Sequence, residues 1–163
     1  MNQKLIKVFF ILLFLMGCSN DSPDKILAES KIMITKLEYS EALEKLQKLV
    51  ENYPQSIEAA EGQYMIGDTY IAYNKNFEVA LKEYRKVVDN YPESKFAINA
   101  QFMIGYVFAN FLNDYNSARI EYETFLELFS SKADSGLVES VKFELRNLGK
   151  DLNEIPQLKH ISP

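Results

Sequence analysis

An internal repeat is the feature that most constrains the fold of this chain. Tyr-Pro-Gln-Ser at 53–56 recurs as Tyr-Pro-Glu-Ser at 91–94, and Met-Ile-Gly at 65–67 recurs unchanged at 103–105. Both pairs are 38 positions apart, and bulky or small residues keep their size at the same offset. The two segments are therefore copies of one structural unit. Units of this length bury a continuous core when they stack on their neighbours.

Each copy is predicted to hold two helices. Apolar or small residues follow a 3.6-residue spacing from Ala59 to Tyr73, and again from Phe77 to Val88. Proline has no backbone N–H and disfavours helix in the residue before it, so Tyr-Pro ends each unit. The serine that follows, such as Ser56, is suited to cap the next helix.

The pattern extends in both directions along the chain. The second helix of an earlier unit is indicated by apolar residues 38 positions back: Tyr39, Ala42, Leu46 and Val50. A last helix carries a single apolar stripe: Leu137, Val141, Leu145 and Leu148. The sequence thus predicts an all-α helix-turn-helix solenoid over 25–148, with about two and a half units and a C-terminal capping helix. Its helices are expected at 25–36, 40–52, 57–73, 77–90, 95–111, 115–129 and 135–148.

The N-terminus has the layout of an export signal. Two lysines precede the apolar run 8–16, which is far shorter than the roughly 20 residues of a membrane-spanning helix. Leu-Met-Gly-Cys at 15–18 resembles the bacterial lipobox, which implies a lipoprotein signal peptide at 1–17 and lipid attachment to Cys18. The alternative is an ordinary signal peptide with a chance cysteine. Residues 18–24 are expected to form a lipidated tether, and 149–163 an extended or disordered tail.

Charge and composition disfavour several functional classes. The chain carries a net charge of −5, and removal of Lys4 and Lys7 with the signal peptide makes it more negative still. Such a surface repels nucleic acid, so no nucleic-acid partner is expected. Cys18 and His160 are the chain's only cysteine and histidine, and no glycine-rich phosphate loop is present. We therefore expect neither catalysis nor a metal or cofactor.

Small and aromatic residues within the unit resemble the tetratricopeptide repeat. A glycine in the first helix, an aromatic three residues later, an alanine and a tyrosine in the second helix, and a closing proline occur as Gly67, Tyr70, Ala80, Tyr84 and Pro92. The resemblance implies that Gly67 and Ala80 face each other where the two helices cross. It also implies a protein-binding solenoid.

The Tyr-Pro-x-Ser start and the unit length, longer than the usual 34 residues, are similar to a subtype found in two groups of envelope proteins. These are the BamD-type outer-membrane assembly lipoproteins and the Tol-Pal-associated coordinators of the YbgF or CpoB type. The lipobox and brief tether resemble the N-terminal part of the BamD type more closely. This implies a lipid-anchored protein at the outer membrane, on its periplasmic face, that binds an envelope protein or peptide and has a role in outer-membrane protein assembly. A Tol-Pal-linked or cell-division coordinator, and a surface-displayed structural or ligand-binding lipoprotein, are the alternatives.

By the same resemblance, the first helix of each pair lines a concave groove for the partner. The groove residues that this implies are Tyr64, Asp68, Ile71, Phe102, Tyr106, Ala109 and Asn110. The competing interpretation is that Tyr64 and Phe102 only pack against the next helix. Gln63 and Gln101, identical in both copies, either hydrogen-bond within the stack or reach a ligand; the stack is favoured.

Overall fold

The computed structural model describes residues 21–155. That range contains seven α-helices: α1 (Pro23–Thr35), α2 (Tyr39–Asn52), α3 (Ile57–Asn74), α4 (Phe77–Asn90), α5 (Lys95–Asn110), α6 (Tyr115–Phe129) and α7 (Ser135–Asn147). A 3-10 turn, Leu152–Glu154, follows α7. The predicted signal peptide, Cys18 and His160 lie outside the described residues. Among the helices of 21–155, none has the length and apolar character needed to cross a membrane.

The helices stack in chain order as antiparallel pairs. Each helix packs against the next, and α3 also contacts both α1 and α5. We call α1, α3 and α5 the first helices and α2, α4 and α6 the second helices. This order and the absence of strands within 21–155 confirm the predicted all-α tetratricopeptide-type solenoid.

Side-chain caps set the helix starts. The Ser56 hydroxyl accepts a hydrogen bond from the Ala59 N–H at 3.2 Å, and the Ser94 hydroxyl accepts one from the Phe96 N–H at 3.2 Å. The second helices begin in the same way at other residue types, with Asn76 capping α4 and Asp114 capping α6. These bonds satisfy N–H groups that lack a partner in the first turn of a helix.

The core repeats with the sequence. Three sets of second-helix residues, 38 positions apart, are fully buried: Ala42, Ala80 and Ala118; Leu46, Tyr84 and Tyr122; Leu49, Val87 and Phe125. Burial of a large apolar side chain contributes about 1.5 to 3 kcal/mol. Each unit therefore adds a similar layer to one continuous core.

The first unit is complete, whereas the sequence predicted only its second half. Helix α1 packs on α2 and α3, with Ile26 and Leu27 buried. The turn after α1 also matches the others, because Leu37, Lys75 and Asn113 adopt left-handed backbone conformations with φ of 64°, 54° and 53°. The repeat was missed because α1 carries Glu29 where the later units have glycine.

The two ends of the solenoid differ from the prediction in detail. Helix α1 begins at Pro23, inside the expected tether, because proline suits the first helical turn. At the other end, α7 buries Val141, which confirms the capping stripe. The described part of the tail is more ordered than predicted: Gly149 turns the chain with φ of 75°, and the apolar Ile155 is buried.

Candidate functional site

The first helices present one continuous face of the solenoid. Successive first helices contact each other along it, as α1 does with α3 and α3 with α5. We call this surface the concave face. Four of the predicted groove residues are half-buried on the middle turns of α3 and α5: Tyr64, Asp68, Phe102 and Tyr106.

Glycines bring a tyrosine of the second helix up to this face. A Cβ atom added to Gly67 would lie 2.6 Å from the Tyr84 ring, and one added to Gly105 would lie 2.6 Å from the Tyr122 ring. The sequence analysis placed Ala80 opposite Gly67, but the Tyr84 ring occupies that position. The glycine allows the ring to pass the first helix, so that its hydroxyl reaches the neighbourhood of Asp68.

Asp68 holds the tyrosine of its own unit. The Tyr84 hydroxyl donates to Asp68 Oδ1 at 2.5 Å. Burial raises the pKa of the Asp68 carboxyl above its ordinary 3.8, although the Tyr84 hydrogen bond works in the opposite direction. Burial, with the nearby Asp68 charge, also raises the pKa of Tyr84 and of Tyr64. The concave face therefore carries a partly desolvated carboxylate between aromatic rings.

Tyr64 packs between helices, as one of the two interpretations made from the sequence predicted. Its ring centroid lies 5.4 Å from that of Tyr84 and 5.8 Å from that of Phe96 on the next first helix. These distances are typical of favourable aromatic pairs. Because the side chain is only half-buried, it packs between helices and also leaves surface on the concave face.

The third unit keeps the tyrosine, as Tyr122, but has a different residue at the position equivalent to Asp68. Tyr106 stands where the second unit has Asp68, and its ring lies 6.0 Å from Phe102 and 5.9 Å from Phe111. Among residues 21–155, the buried Tyr122 hydroxyl has no hydrogen-bond partner. Burial raises the pKa of Tyr122, and the charge of nearby Glu144 adds to this shift. Tyr106 therefore places an aromatic ring where the second unit has a carboxylate, and the carboxylate near Tyr122 is that of Glu144 on α7.

The remaining predicted groove residues lie near the C-terminal ends of α3 and α5. Ile71 is half-buried and packs against the core around Tyr84. Ala109 is buried in the core and offers little surface, while Asn110 is exposed. Ala109 and Asn110 line a cavity of about 300 Å³ beside α7, apart from Tyr64 and Asp68.

Gln63 and Gln101 belong to the stack, as favoured from the sequence. The Gln63 side chain donates to the Glu83 carboxylate, and Gln101 Nε2 donates to Glu121 Oε2 at 2.8 Å. Both bonds join the first helix to the second helix of its own unit. Glu121 also pairs with Arg85 of the preceding unit at 2.7 Å, which links two units through one carboxylate.

An apolar cavity at the start of the first helices was not predicted. It has a volume of about 520 Å³ and is lined by the start of α3 and the turn into α5, including Ile57, Tyr91, Pro92 and Phe96. Ile57 is 85% exposed, the highest value among the large hydrophobic residues within 21–155. The available signal was a single apolar residue directly after the Ser56 cap, at the position where the next copy has Lys95.

A comparison with protein-family models identifies the family. Residues 24–125, from the start of α1 into α6, match the model described as "YfiO: Outer membrane lipoprotein". The chain belongs to the YfiO family of outer-membrane lipoproteins. No individual curated protein matches it.

Membership of the YfiO family confirms the BamD-like resemblance drawn from the repeat. It indicates an outer-membrane lipoprotein of the kind that works in envelope protein assembly. The matched residues contain all three helix pairs up to Phe125 and end before α7. The first unit, which the sequence showed only in part, therefore belongs to the family pattern.

Proposed function

We propose that this chain is a non-enzymatic lipoprotein, lipidated at Cys18 and facing the periplasm, whose concave face binds a segment of an envelope protein. Family membership supports the outer-membrane setting. The proposed binding surface comprises the groove residues already described: Tyr64, Asp68, Ile71, Phe102, Tyr106, Ala109 and Asn110. Ala109 contributes through the cavity that it shares with Asn110.

The observation that carries the proposal is the Asp68 carboxylate on the concave face. Half-buried carboxylates are costly unless they are hydrogen-bonded, and Asp68 accepts a bond from Tyr84. A carboxylate has more acceptor sites than one donor fills. A backbone N–H or a cationic side chain of a bound segment would occupy the free sites, while the half-buried aromatics beside it provide apolar contact.

Because lipidation confines the protein to the membrane, a weak contact in the groove is sufficient to hold a membrane-bound partner. A protein confined to a membrane surface meets membrane-bound partners at a raised effective concentration. Stable attachment requires more than one acyl chain, as the lipobox resemblance implies for Cys18. The groove therefore does not need high intrinsic affinity to act in assembly.

Site-specific photocrosslinking in cells tests the groove. A photoreactive phenylalanine analogue at Tyr106 is expected to capture a discrete envelope protein, and Asp68→Lys in the same chain is expected to abolish that product. The matched control position is Ile120, which is 61% exposed on the second helix α6. Equal crosslinking from Ile120, or a Tyr106 product that survives Asp68→Lys, would contradict the proposal.

A further inference from the structure

The edge of the solenoid where the first helices begin has an unexplained apolar feature close to the start of the described chain. We call it the Tyr-Pro edge; it comprises Asp21–Ser22 and the turns at 53–56 and 91–94. Ile57 projects beside it, 85% exposed. A second cavity, of about 350 Å³, is lined by both Asp24 and Ile57, so the isoleucine lies next to the start of α1.

The start of the described chain contacts this edge. The Tyr53 hydroxyl donates to the Asp21 carbonyl at 3.1 Å, and Lys25 pairs with the Asp21 carboxylate at 2.6 Å. The Asp21 backbone is thus tied to the turn that precedes α3. Its position relative to Ile57 is determined by contacts within the fold.

Chain length limits how far this edge can stand from a lipid on Cys18. Asp21 follows Cys18 by three positions, and an extended chain spans at most about 11 Å over those three steps. The opposite edge, where α3 ends, is one helix length away. Because α3 has 18 residues, that edge is farther by roughly 27 Å.

From this geometry, we propose that the Tyr-Pro edge lies against the membrane surface with Ile57 among the lipid headgroups, so that the helices stand upright on the bilayer. The proposal rests on lipidation of Cys18, which is part of the proposed function. The anchor supplies one point of contact and Ile57 a second, and two contacts restrict the tilt of a small domain. The concave face is then presented sideways, at a constant height above the bilayer.

Lipid-borne quenchers test the orientation in the full lipidated protein. Gln55→Cys, on the Tyr-Pro edge, and Leu112→Cys, on the opposite edge, each carry a fluorophore. Cys18 is the only natural cysteine, and lipidation occupies its thiol. In vesicles of zwitterionic lipid with headgroup-level quenchers, we expect the label at 55 to be quenched several-fold more strongly than the label at 112.

Ile57→Asp in the Gln55→Cys background tests the second contact. The side chain is exposed, so the unfolding temperature is expected to stay unchanged while quenching at 55 falls. Equal quenching at 55 and 112, or quenching that ignores Ile57→Asp, would overturn the orientation. Vesicle flotation separates the two proposals: a chain that fails to float lacks the lipid and overturns both, whereas a floating chain with equal quenching overturns the orientation alone.

Discussion

The second and third units of the solenoid share their packing and differ in their concave chemistry. In both, a tyrosine of the second helix passes a glycine of the first with the same 2.6 Å approach to a hypothetical Cβ. In the second unit the tyrosine hydroxyl donates to Asp68, whereas in the third unit Tyr106 stands at that position. The comparison shows that stacking keeps the glycine and tyrosine of the crossing the same, while the residue near the tyrosine hydroxyl differs between the units.

A similar division holds at the two buried glutamines of the first helices. Gln63 and Gln101 both bond the second-helix glutamate of their own unit. The cation that pairs with that glutamate differs: Lys86 of the same helix pairs with Glu83, but Arg85 of the preceding unit pairs with Glu121. Both units therefore keep the buried glutamine side chain, but the more exposed cation that pairs with the glutamate differs.

The largest expected effect tests what the two units share. Gly67→Leu and Gly105→Leu would each drive a side chain into a fully buried tyrosine ring, which has no room to move. Overpacking of this kind costs about 1 to 3 kcal/mol. Chemical denaturation is expected to show a similar loss in the free energy of unfolding for both variants.

Ala72→Leu is the matched control, because Ala72 lies on α3 but is exposed. It is expected to leave stability nearly unchanged. If one glycine variant were as stable as this control, the two crossings would not be equivalent, and the repeat would be only approximate in its packing.

An intermediate effect tests what the two units do not share. Tyr84→Phe removes the donor to a half-buried carboxylate and is expected to cost about 1 to 2 kcal/mol. Tyr122→Phe removes a buried hydroxyl that has no hydrogen-bond partner among residues 21–155, so we expect it to be neutral or stabilising. The measurement is the difference between the two losses in urea denaturation.

Tyr84→Phe and Tyr122→Phe remove the same oxygen atom at equivalent positions, so each variant is a control for the other. Equal losses at the two sites would mean that the Asp68 bond contributes nothing beyond packing. A large loss for Tyr122→Phe alone would mean that its hydroxyl has a partner, and the contrast between the units would disappear.

The fold was largely predictable because its determinants are local in sequence. Tyr-Pro and the capping serines mark the starts of α3 and α5. In six of the seven helices, both predicted ends agree with the structure to within one residue. The first helix of the first unit was not recognised as a repeat member. Its helical spacing was visible, but Glu29 in place of glycine removed the signature by which the other units were matched.

The candidate site was less predictable, because it depends on where the end groups of side chains from different helices lie in the folded chain. Spacing alone placed Tyr64 and Asp68 on one face, but not the Tyr84 hydroxyl, which belongs to another helix and arrives through the space left by Gly67. The position of Ala109 in the core depends on how α7 packs against the third unit. The apolar residue after the Ser56 cap showed that Ile57 departs from the repeat, but it did not show that the side chain lies beside a cavity.

The smallest expected effect concerns Asp68, the residue in which the two units differ. It is the pH dependence of the free energy of unfolding. Because the pKa of Asp68 is raised in the folded state, the folded chain holds this proton more tightly than the unfolded chain does. Relative to Asp68→Asn, wild-type stability is therefore expected to be greatest below the unfolded pKa near 3.8 and to decline as pH rises through the folded pKa. The amide keeps an acceptor for Tyr84 and cannot ionise, so subtraction of the variant's profile cancels the other carboxyl groups.

At neutral pH the Asp68→Asn variant should equal or exceed the wild type in stability, by less than about 1 kcal/mol, because the site is only half-buried. A wild-type advantage that instead grew with pH would mean that the Tyr84 hydrogen bond outweighs desolvation and lowers the pKa. In that case Asp68 would be a structural carboxylate that stabilises the second unit. A partner that supplies a cation would then gain less from binding at Asp68, since the fold would already compensate its charge.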